Sequence, residues 1–173
     1  LVTPKKLLDA AGVSDFDEFR AKNAYPTVES LKGKIIFLLH EKDSLETYMQ
    51  RDPDMQKSAM NIALDYATVQ KKGKNYSRFS FTVVLNDPTK HKDRISKAIN
   101  RDNFMVRTRL DRYAVVKDHW YNNGIKSGAN ILSTDYTPHA KERIMEYPTK
   151  GKWTDTYYAI LYEADKTVTL RGK

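Results

Sequence analysis

The segment FMVRTRLD, residues 104–111, alternates charged and uncharged side chains. In a β-strand, successive side chains point to opposite faces of the sheet, so Arg107, Arg109 and Asp111 share one face and the intervening residues share the other. A strand that is half exposed to water gives the same alternation, because strands are often amphipathic. The segment therefore predicts a strand with one charged face, and its surroundings decide whether that face is a site or a solvated surface.

The composition predicts one folded domain. The chain has 173 residues, of which 40% are hydrophobic, with 7 glycines and 6 prolines, and this length is sufficient for a real core. The longest apolar run is IIFLL at residues 35–39, so no transmembrane segment is predicted. Without cysteine, the chain has neither a disulfide framework nor a thiolate metal site.

The net charge favours anionic partners. Thirty Lys and Arg residues against 22 Asp and Glu residues leave a charge of +8, which favours phosphates or acidic lipid headgroups. Peripheral contact with an anionic membrane surface is compatible with this charge. The chain shows no basic stripe with interleaved aromatic residues and no nucleic-acid motif, so nucleic acid is not an expected partner.

Helix and strand patterns alternate along the chain. Thr3 before Pro4 predicts a helix start, and Gly12 predicts its end. Residues 44–69 are predicted as loop and helix, because apolar residues from Met60 onward recur at helical spacing. Four strands are predicted, at residues 35–39, 78–87, 104–111 and 129–136, and the first is apolar enough to be buried on both faces.

The alternation predicts an α/β fold with parallel strands joined by right-handed crossovers. The spacing of the strands fits a barrel and a doubly wound sheet equally well. In both folds the site lies beyond the carboxyl ends of the strands. Polar side chains follow the predicted strands at this position, beginning with His40 and Asn86.

Two explanations remain open for these polar side chains. Asp87 and Asp111 suit helix caps as well as a site. Arg107 and Arg109 lie within a strand, where a charge requires a partner. They either grip a phosphate or carboxylate in bidentate fashion, or form a salt-bridge network with Asp111 and Asp135. No spacing of His, Asp and Glu residues is a specific metal signature, so the metal ligands are unknown.

Five segments, taken in order, resemble the calcium-dependent phosphoinositide-specific phospholipase C-like family of microbial proteins. These segments are LVTPKKLL, YPTVESLKGKIIFLL, NDP, MVRTRLD and SGANILSTDYTP. The family belongs to a superfamily of phosphodiesterase TIM barrels. The resemblance implies a TIM (β/α)8 barrel in which residues 1–138 supply about strands five to eight. Residues 139–173 are expected to extend the same domain with a helix and a β-hairpin.

The resemblance also implies a function. The expected enzyme cleaves phosphoinositides or related glycerophosphodiesters by general acid/base catalysis at a metal-assisted phosphate site, with Ca²⁺ as cofactor. The resemblance places the catalytic histidines and most calcium ligands in an N-terminal half of the barrel that precedes this chain, and favours a secreted or periplasmic location. A catalytically inactive barrel that binds anionic lipid headgroups or glycans is the alternative.

Roles for individual residues follow from the resemblance. Arg107 and Arg109 are expected to hold the phosphate and stabilise its developing charge. Asp135, on the strand next to the family's catalytic base, is expected to orient that histidine. His40 lies where the resemblance leads us to expect an acid. Four residues are assigned to substrate binding: His40, Asn86, Asp111 and Tyr136.

Overall fold

The structure is a computed structural model that describes residues 1–27, 29–40, 42–110 and 118–133. Its centre is a five-stranded sheet in which every neighbouring pair of strands is parallel. The strands are β1 (Leu38–Leu39), β2 (Asn61–Asp65), β3 (Thr82–Val84), β4 (Met105–Arg109) and β5 (Ile131–Ser133). The helices are α1 (Pro4–Ala11), α2 (Phe16–Ala21), α3 (Lys42–Arg51), α4 (Tyr66–Lys72), α5 (Lys74–Ser77), α6 (Lys92–Asn100) and α7 (Asp118–Lys126), with a 3-10 turn at Glu29–Leu31.

The order of the strands identifies the kind of α/β sheet. The order across the sheet is β1-β2-β3-β4-β5, the same as along the chain, so each crossover adds the next strand on the same side. A doubly wound sheet reverses its order at a switch point, whereas a barrel does not. The sheet is also curled. The predicted α/β class is confirmed, and the arrangement is consistent with part of a TIM barrel.

The predicted number of strands was wrong. Asn61–Asp65 form a strand, although the apolar residues around them suggested a helix. A short apolar run has no periodicity that separates a buried strand from a buried helix. Here Ile62, Ala63 and Leu64 are all buried, which is the pattern of a strand covered on both sides. The structure therefore has five strands after α2, whereas the expected barrel strands five to eight are only four.

The prediction that the first strand is buried on both faces was also wrong. Only Leu38–Leu39 form a ladder, and Leu38 is 38% exposed. Ile35 and Phe37, which precede the ladder, are 59% and 52% exposed. The reason is position, because β1 is the first edge of the sheet and pairs with β2 on one side only. Just before β1, the backbone of Ile35 accepts a hydrogen bond from Val2 N, at 2.8 Å.

The predicted first helix is confirmed in detail. Thr3 caps α1, because its hydroxyl accepts from the Lys6 N–H, and Pro4 occupies the first turn. Gly12 ends the helix with a φ of 61°, a left-handed conformation that glycine adopts without strain. Helix α6 packs an apolar face against the sheet, with Ile95 and Ala98 buried. No helix among residues 1–27, 29–40, 42–110 and 118–133 is long and apolar enough to cross a membrane.

The sheet has two distinct faces. We call the face that carries Val106, Thr108 and Leu110 the outer face, because Leu110 lies directly against Gly124 of α7. Val106 and Thr108 of β4, and Leu110 just after it, are at most 1% exposed. The opposite, inner face carries Arg107 and Arg109, which are half-buried. The predicted residues 134–136 of the last strand, the helix near 139–146 and the C-terminal hairpin lie outside the described residues.

Candidate functional site

The register of the sheet places polar side chains on its inner face at the carboxyl edge. Asp65 pairs with Val84, Val84 with Arg107, and Arg107 with Ile131, so all four side chains point to the same face. Arg109 lies one layer closer to the carboxyl edge and pairs with Ser133. The prediction that the two arginines share one face is confirmed.

Asn86 directly contacts one of the arginines. It lies two residues beyond the paired position Val84, and its Oδ1 accepts a hydrogen bond from Arg107 Nη1 at 2.5 Å. The structure shows that Asn86 contacts Arg107, and its predicted contact with the substrate stays a prediction. An amide that holds one end of a guanidinium group limits its rotation and reduces the entropy that ligand binding would otherwise cost.

The backbone beneath the arginines is held on both sides. Thr108 Oγ1, on the outer face, donates to Leu85 O at 2.6 Å, and Leu85 N donates to Arg107 O at 3.0 Å. On the β5 side, Val106 N donates to the Asn130 side-chain oxygen at 2.9 Å. Strand β4 therefore presents both arginines from a fixed backbone, which favours preorganised binding.

His40 and Asp65 occupy the part of the same edge nearest β1. His40 Nδ1 lies 2.8 Å from Ala63 O, and its Nε2 lies 3.9 Å from Asp65 Oδ1. A carbonyl oxygen only accepts hydrogen bonds, so Nδ1 carries a proton and Nε2 is the nitrogen that faces the carboxylate. The side chains are 35% and 29% exposed, so both reach the solvent of the site.

Asp65 is the site residue that sequence reasoning missed. It was missed because β2 was interpreted as helix, which gave its last residue no strand end to occupy. A signal was present, since NIALD ends an apolar run with an acid, as VVLND and RLD do in the segments identified as strands.

The remaining predicted residues divide into two groups. Asp87 was predicted to suit a helix cap, and this was wrong, because the N-cap position of α6 is His91, without a side-chain cap. Asp87 instead stabilises the turn after β3, where its Oδ1 accepts from Lys90 N at 2.8 Å. The other three, Asp111, Asp135 and Tyr136, lie outside the described residues. The salt-bridge network proposed for the arginines involves two of these residues and so stays a prediction.

The described part of the site is cationic and has no metal-ligand cluster. Two arginines and one carboxylate, Asp65, share its inner face, and guanidinium groups favour an anionic ligand. No group of three or more His, Asp or Glu side chains in the described ranges is arranged to hold a metal ion. These residues alone therefore do not fit the oxygen-rich ligand set of calcium.

The chain matches one family model. The model, described as phosphoinositide phospholipase C, Ca²⁺-dependent, matches residues 1–156. No curated protein and no solved structure matches the chain significantly. The family match covers the whole described sheet, including the strand that sequence reasoning missed.

Proposed function

Because the chain belongs to the Ca²⁺-dependent phosphoinositide phospholipase C family, we propose that it is part of an enzyme that cleaves phosphodiester bonds in phosphoinositides or related glycerophosphodiesters. The supporting observation is the placement of Arg107 and Arg109 on one face of β4, at the carboxyl edge of a parallel sheet. This edge is where barrel enzymes carry their active sites.

The chemistry of the two arginines suits this reaction. A phosphodiester carries one negative charge, and the charge on its oxygens grows as phosphorus is attacked. A planar guanidinium group donates two parallel hydrogen bonds to such oxygens. In the proposal Arg107, held by Asn86, and Arg109 bind the phosphate and stabilise that charge.

Acid and base catalysis is assigned to groups outside the described residues. The proposal keeps the expected histidines of an N-terminal half of the barrel as acid and base, and Asp135 as the residue that orients one of them. Calcium, which the family name implies, would add positive charge at the phosphate. None of the described residues is assigned to it.

The first edge of the sheet supports completion by further strands. Four of the five exposed large apolar residues in the described ranges lie at or beside this edge: Leu1, Ile35, Phe37 and Leu38. An apolar edge with unpaired backbone groups promotes aggregation when it is left open. An eight-stranded barrel would cover this edge with the strands that precede β1 in space.

The experiment that tests the function compares the full-length protein with its Arg107→Ala variant. Vesicles that contain phosphatidylinositol are the substrate, and release of the phosphorylated headgroup is measured with calcium present. We expect Arg107→Ala to lower kcat/KM at least tenfold, about 1.4 kcal/mol in the barrier. Arg107→Lys should recover only part of the loss, because an ammonium group does not make the bidentate contact.

A matched control removes an arginine from the other edge. Arg51 is exposed at the carboxyl end of α3, which runs back toward the amino ends of the strands. Arg51→Ala changes the net charge equally and should leave kcat/KM within about twofold, as surface changes away from a site do. A smaller than tenfold loss in Arg107→Ala would refute the phosphate role. Vesicle binding without headgroup release would instead support the inactive barrel.

A further inference from the structure

Thr108 lies between the two arginines in the sequence but points to the opposite face of β4. Its side chain is on the outer face, and the residue is 0% exposed. The sheet therefore separates the Thr108 hydroxyl from a ligand that the arginines bind on the inner face. An influence of this hydroxyl on binding has to pass through the groups that it contacts.

The Thr108 hydroxyl holds the end of the neighbouring strand. The last paired residues of β3 and β4 are Val84 and Arg107. Leu85, the next residue, is held at both of its backbone groups. Its N–H donates to Arg107 O at 3.0 Å, and its carbonyl accepts from Thr108 Oγ1 at 2.6 Å. The hydroxyl thus keeps the two chains together for one residue beyond the last pair of the ladder.

Asn86 follows Leu85 directly, at the point where the chain leaves the sheet. Its side chain is exposed, and its Oδ1 accepts from Arg107 Nη1 at 2.5 Å. A side chain in such a position keeps a defined direction only when the surrounding hydrogen bonds hold its backbone. The bond from Thr108 to Leu85 therefore helps to determine where the Asn86 amide meets the guanidinium group.

We propose that Thr108 is a positioning residue of the phosphate site, which acts through Leu85 and Asn86 on the guanidinium group of Arg107. The inference rests on the proposed function, because it takes Arg107 as a phosphate ligand. With the hydroxyl in place, Asn86 limits the rotation of the guanidinium group before the phosphate arrives. Without it, Leu85 loses one of its two contacts with β4, and more of the ordering of Arg107 has to occur during binding.

The size of the effect follows from the entropy of one long side chain. Ordering such a side chain during binding, rather than before it, weakens the affinity about two- to tenfold. The guanidinium group keeps its charge in every variant of Thr108, so its attraction for an anion remains. The expected loss is therefore partial.

Binding of dimethyl phosphate tests the inference without any catalytic step. Affinity is measured by ³¹P NMR titration of the full-length protein and its variants, each below its own thermal unfolding midpoint. One pH and one calcium concentration are used throughout, so that the histidines and the calcium ion expected at the site contribute equally to every titration.

Two substitutions of Thr108 separate the hydroxyl from the rest of the side chain. Valine keeps the β-branched shape of threonine and lacks the hydroxyl, so Thr108→Val should bind about two- to tenfold more weakly than wild type. Serine keeps the hydroxyl as a donor, so Thr108→Ser should bind within about twofold of wild type. A loss in Thr108→Ser as large as that in Thr108→Val would overturn the positioning role.

Thr82 on β3 provides the matched control. It is 0% exposed, and its Oγ1 is buried without a hydrogen-bond partner in the part of the chain that the structure describes. Thr82→Val removes the same buried hydroxyl group from a neighbouring strand without breaking a described hydrogen bond, and should leave the affinity within about twofold of wild type. Equal losses in Thr82→Val and Thr108→Val would overturn the inference.

A double-mutant cycle tests whether Thr108 acts through Asn86. Asn86→Ala should bind about two- to tenfold more weakly than wild type. The double variant with Thr108→Val should bind like Asn86→Ala alone, because the hydroxyl then has no amide left to position. Losses that multiply in the double variant would show that the hydroxyl acts independently of Asn86, and would overturn the inference.

Failure of the proposed function has a different signature. If Arg107→Ala abolishes binding of dimethyl phosphate while Thr108→Val binds it like wild type, the phosphate site stands and only the positioning role is overturned. If the probe does not bind to wild type, or binds equally well to Arg107→Ala, the phosphate site and the positioning role are both overturned.

Discussion

Arg20 is the buried charge whose removal should most clearly test what holds the sheet to its helices. It is 6% exposed on α2, and its guanidinium carbon lies 3.9 Å from the centre of the Phe104 ring. Nη1 donates to Ser77 O at 2.9 Å and also to Ser80 O, while Nη2 donates to Asp17. One side chain thus connects α2, α5 and the segments that lead into β3 and β4.

Two opposing effects determine how much Arg20→Met lowers the free energy of unfolding. Burial lowers the pKa of Arg20, so the charge is held at some cost, and an apolar replacement relieves it. Against this, the buried Ser80 carbonyl loses a donor, although the Ser77 carbonyl keeps one from Ser80 N at 3.2 Å. A hydrogen bond to a charged group is worth about 1.5–3 kcal/mol and a desolvated cation–π contact about 2 kcal/mol. Relief of burial offsets part of this, and we expect a net loss of about 2 kcal/mol.

Thermal unfolding followed by circular dichroism measures this loss. For a chain of this length, 2 kcal/mol corresponds to a midpoint about 4–8 °C lower. Arg51→Met, which removes an exposed arginine, is the matched control and should leave the midpoint within about 1 °C. An Arg20→Met midpoint equal to or above that of wild type would show that relief of burial outweighs the lost contacts, and would refute this reasoning.

Three further substitutions have defined outcomes. The Tyr66 hydroxyl donates to Asp102 Oδ2 at 2.6 Å, and Tyr66→Phe should cost about 1–2 kcal/mol in urea unfolding. Burial alone would raise the pKa of Asp102, but hydrogen bonds, including the one from Tyr66, together lower it. The ionised Asp102 carboxylate therefore stabilises the fold above about pH 4, and this stabilisation is lost as the pH falls further. A Tyr66→Phe variant should consequently lose less stability on acidification than wild type. A Cβ on Gly124 would lie 2.5 Å from Leu110 Cδ2, so Gly124→Ala should destabilise by about 1–3 kcal/mol, and an unchanged midpoint in urea would contradict this close packing. Asp15 accepts from two first-turn N–H groups of α2, and Asp15→Ala should cost about 1 kcal/mol in the same assay, whereas Asp15→Asn should keep most of the cap.

The features that were predictable depend on local chain geometry. The face shared by Arg107 and Arg109 follows from the two-residue period of a strand, and the structure confirms it. The cap at Thr3 and the stop at Gly12 follow from backbone preferences of single residues, and both are present. These inferences required no knowledge of which strands are neighbours.

The features that were missed depend on neighbours. NIALD lacks a period that distinguishes strand from helix, so β2 and with it Asp65 became visible only when β1 and β3 were seen on either side. The exposure of Phe37 is likewise a property of the sheet edge, since an edge strand and a central strand can have the same apolar composition. The hydrogen bond from Arg107 to Asn86 depends on the β3–β4 register, which the sequence does not state.

Stability and binding are separated along the strands. Tyr25 OH donates to Asn103 O at 2.6 Å, just before β4, and lies 3.2 Å from Phe81 O, just before β3. Arg20 binds the same amino edge through Ser80 O. Arg107 and its contact Asn86 lie at the carboxyl edge. Because the two groups lie at opposite ends of the strands, their effects should add rather than couple. Arg20→Met should lower the unfolding midpoint and leave the phosphodiester affinity unchanged. Arg107→Ala should lower the phosphodiester affinity and leave the unfolding midpoint unchanged. An affinity loss in Arg20→Met measured well below its midpoint would show that the amino edge positions the site.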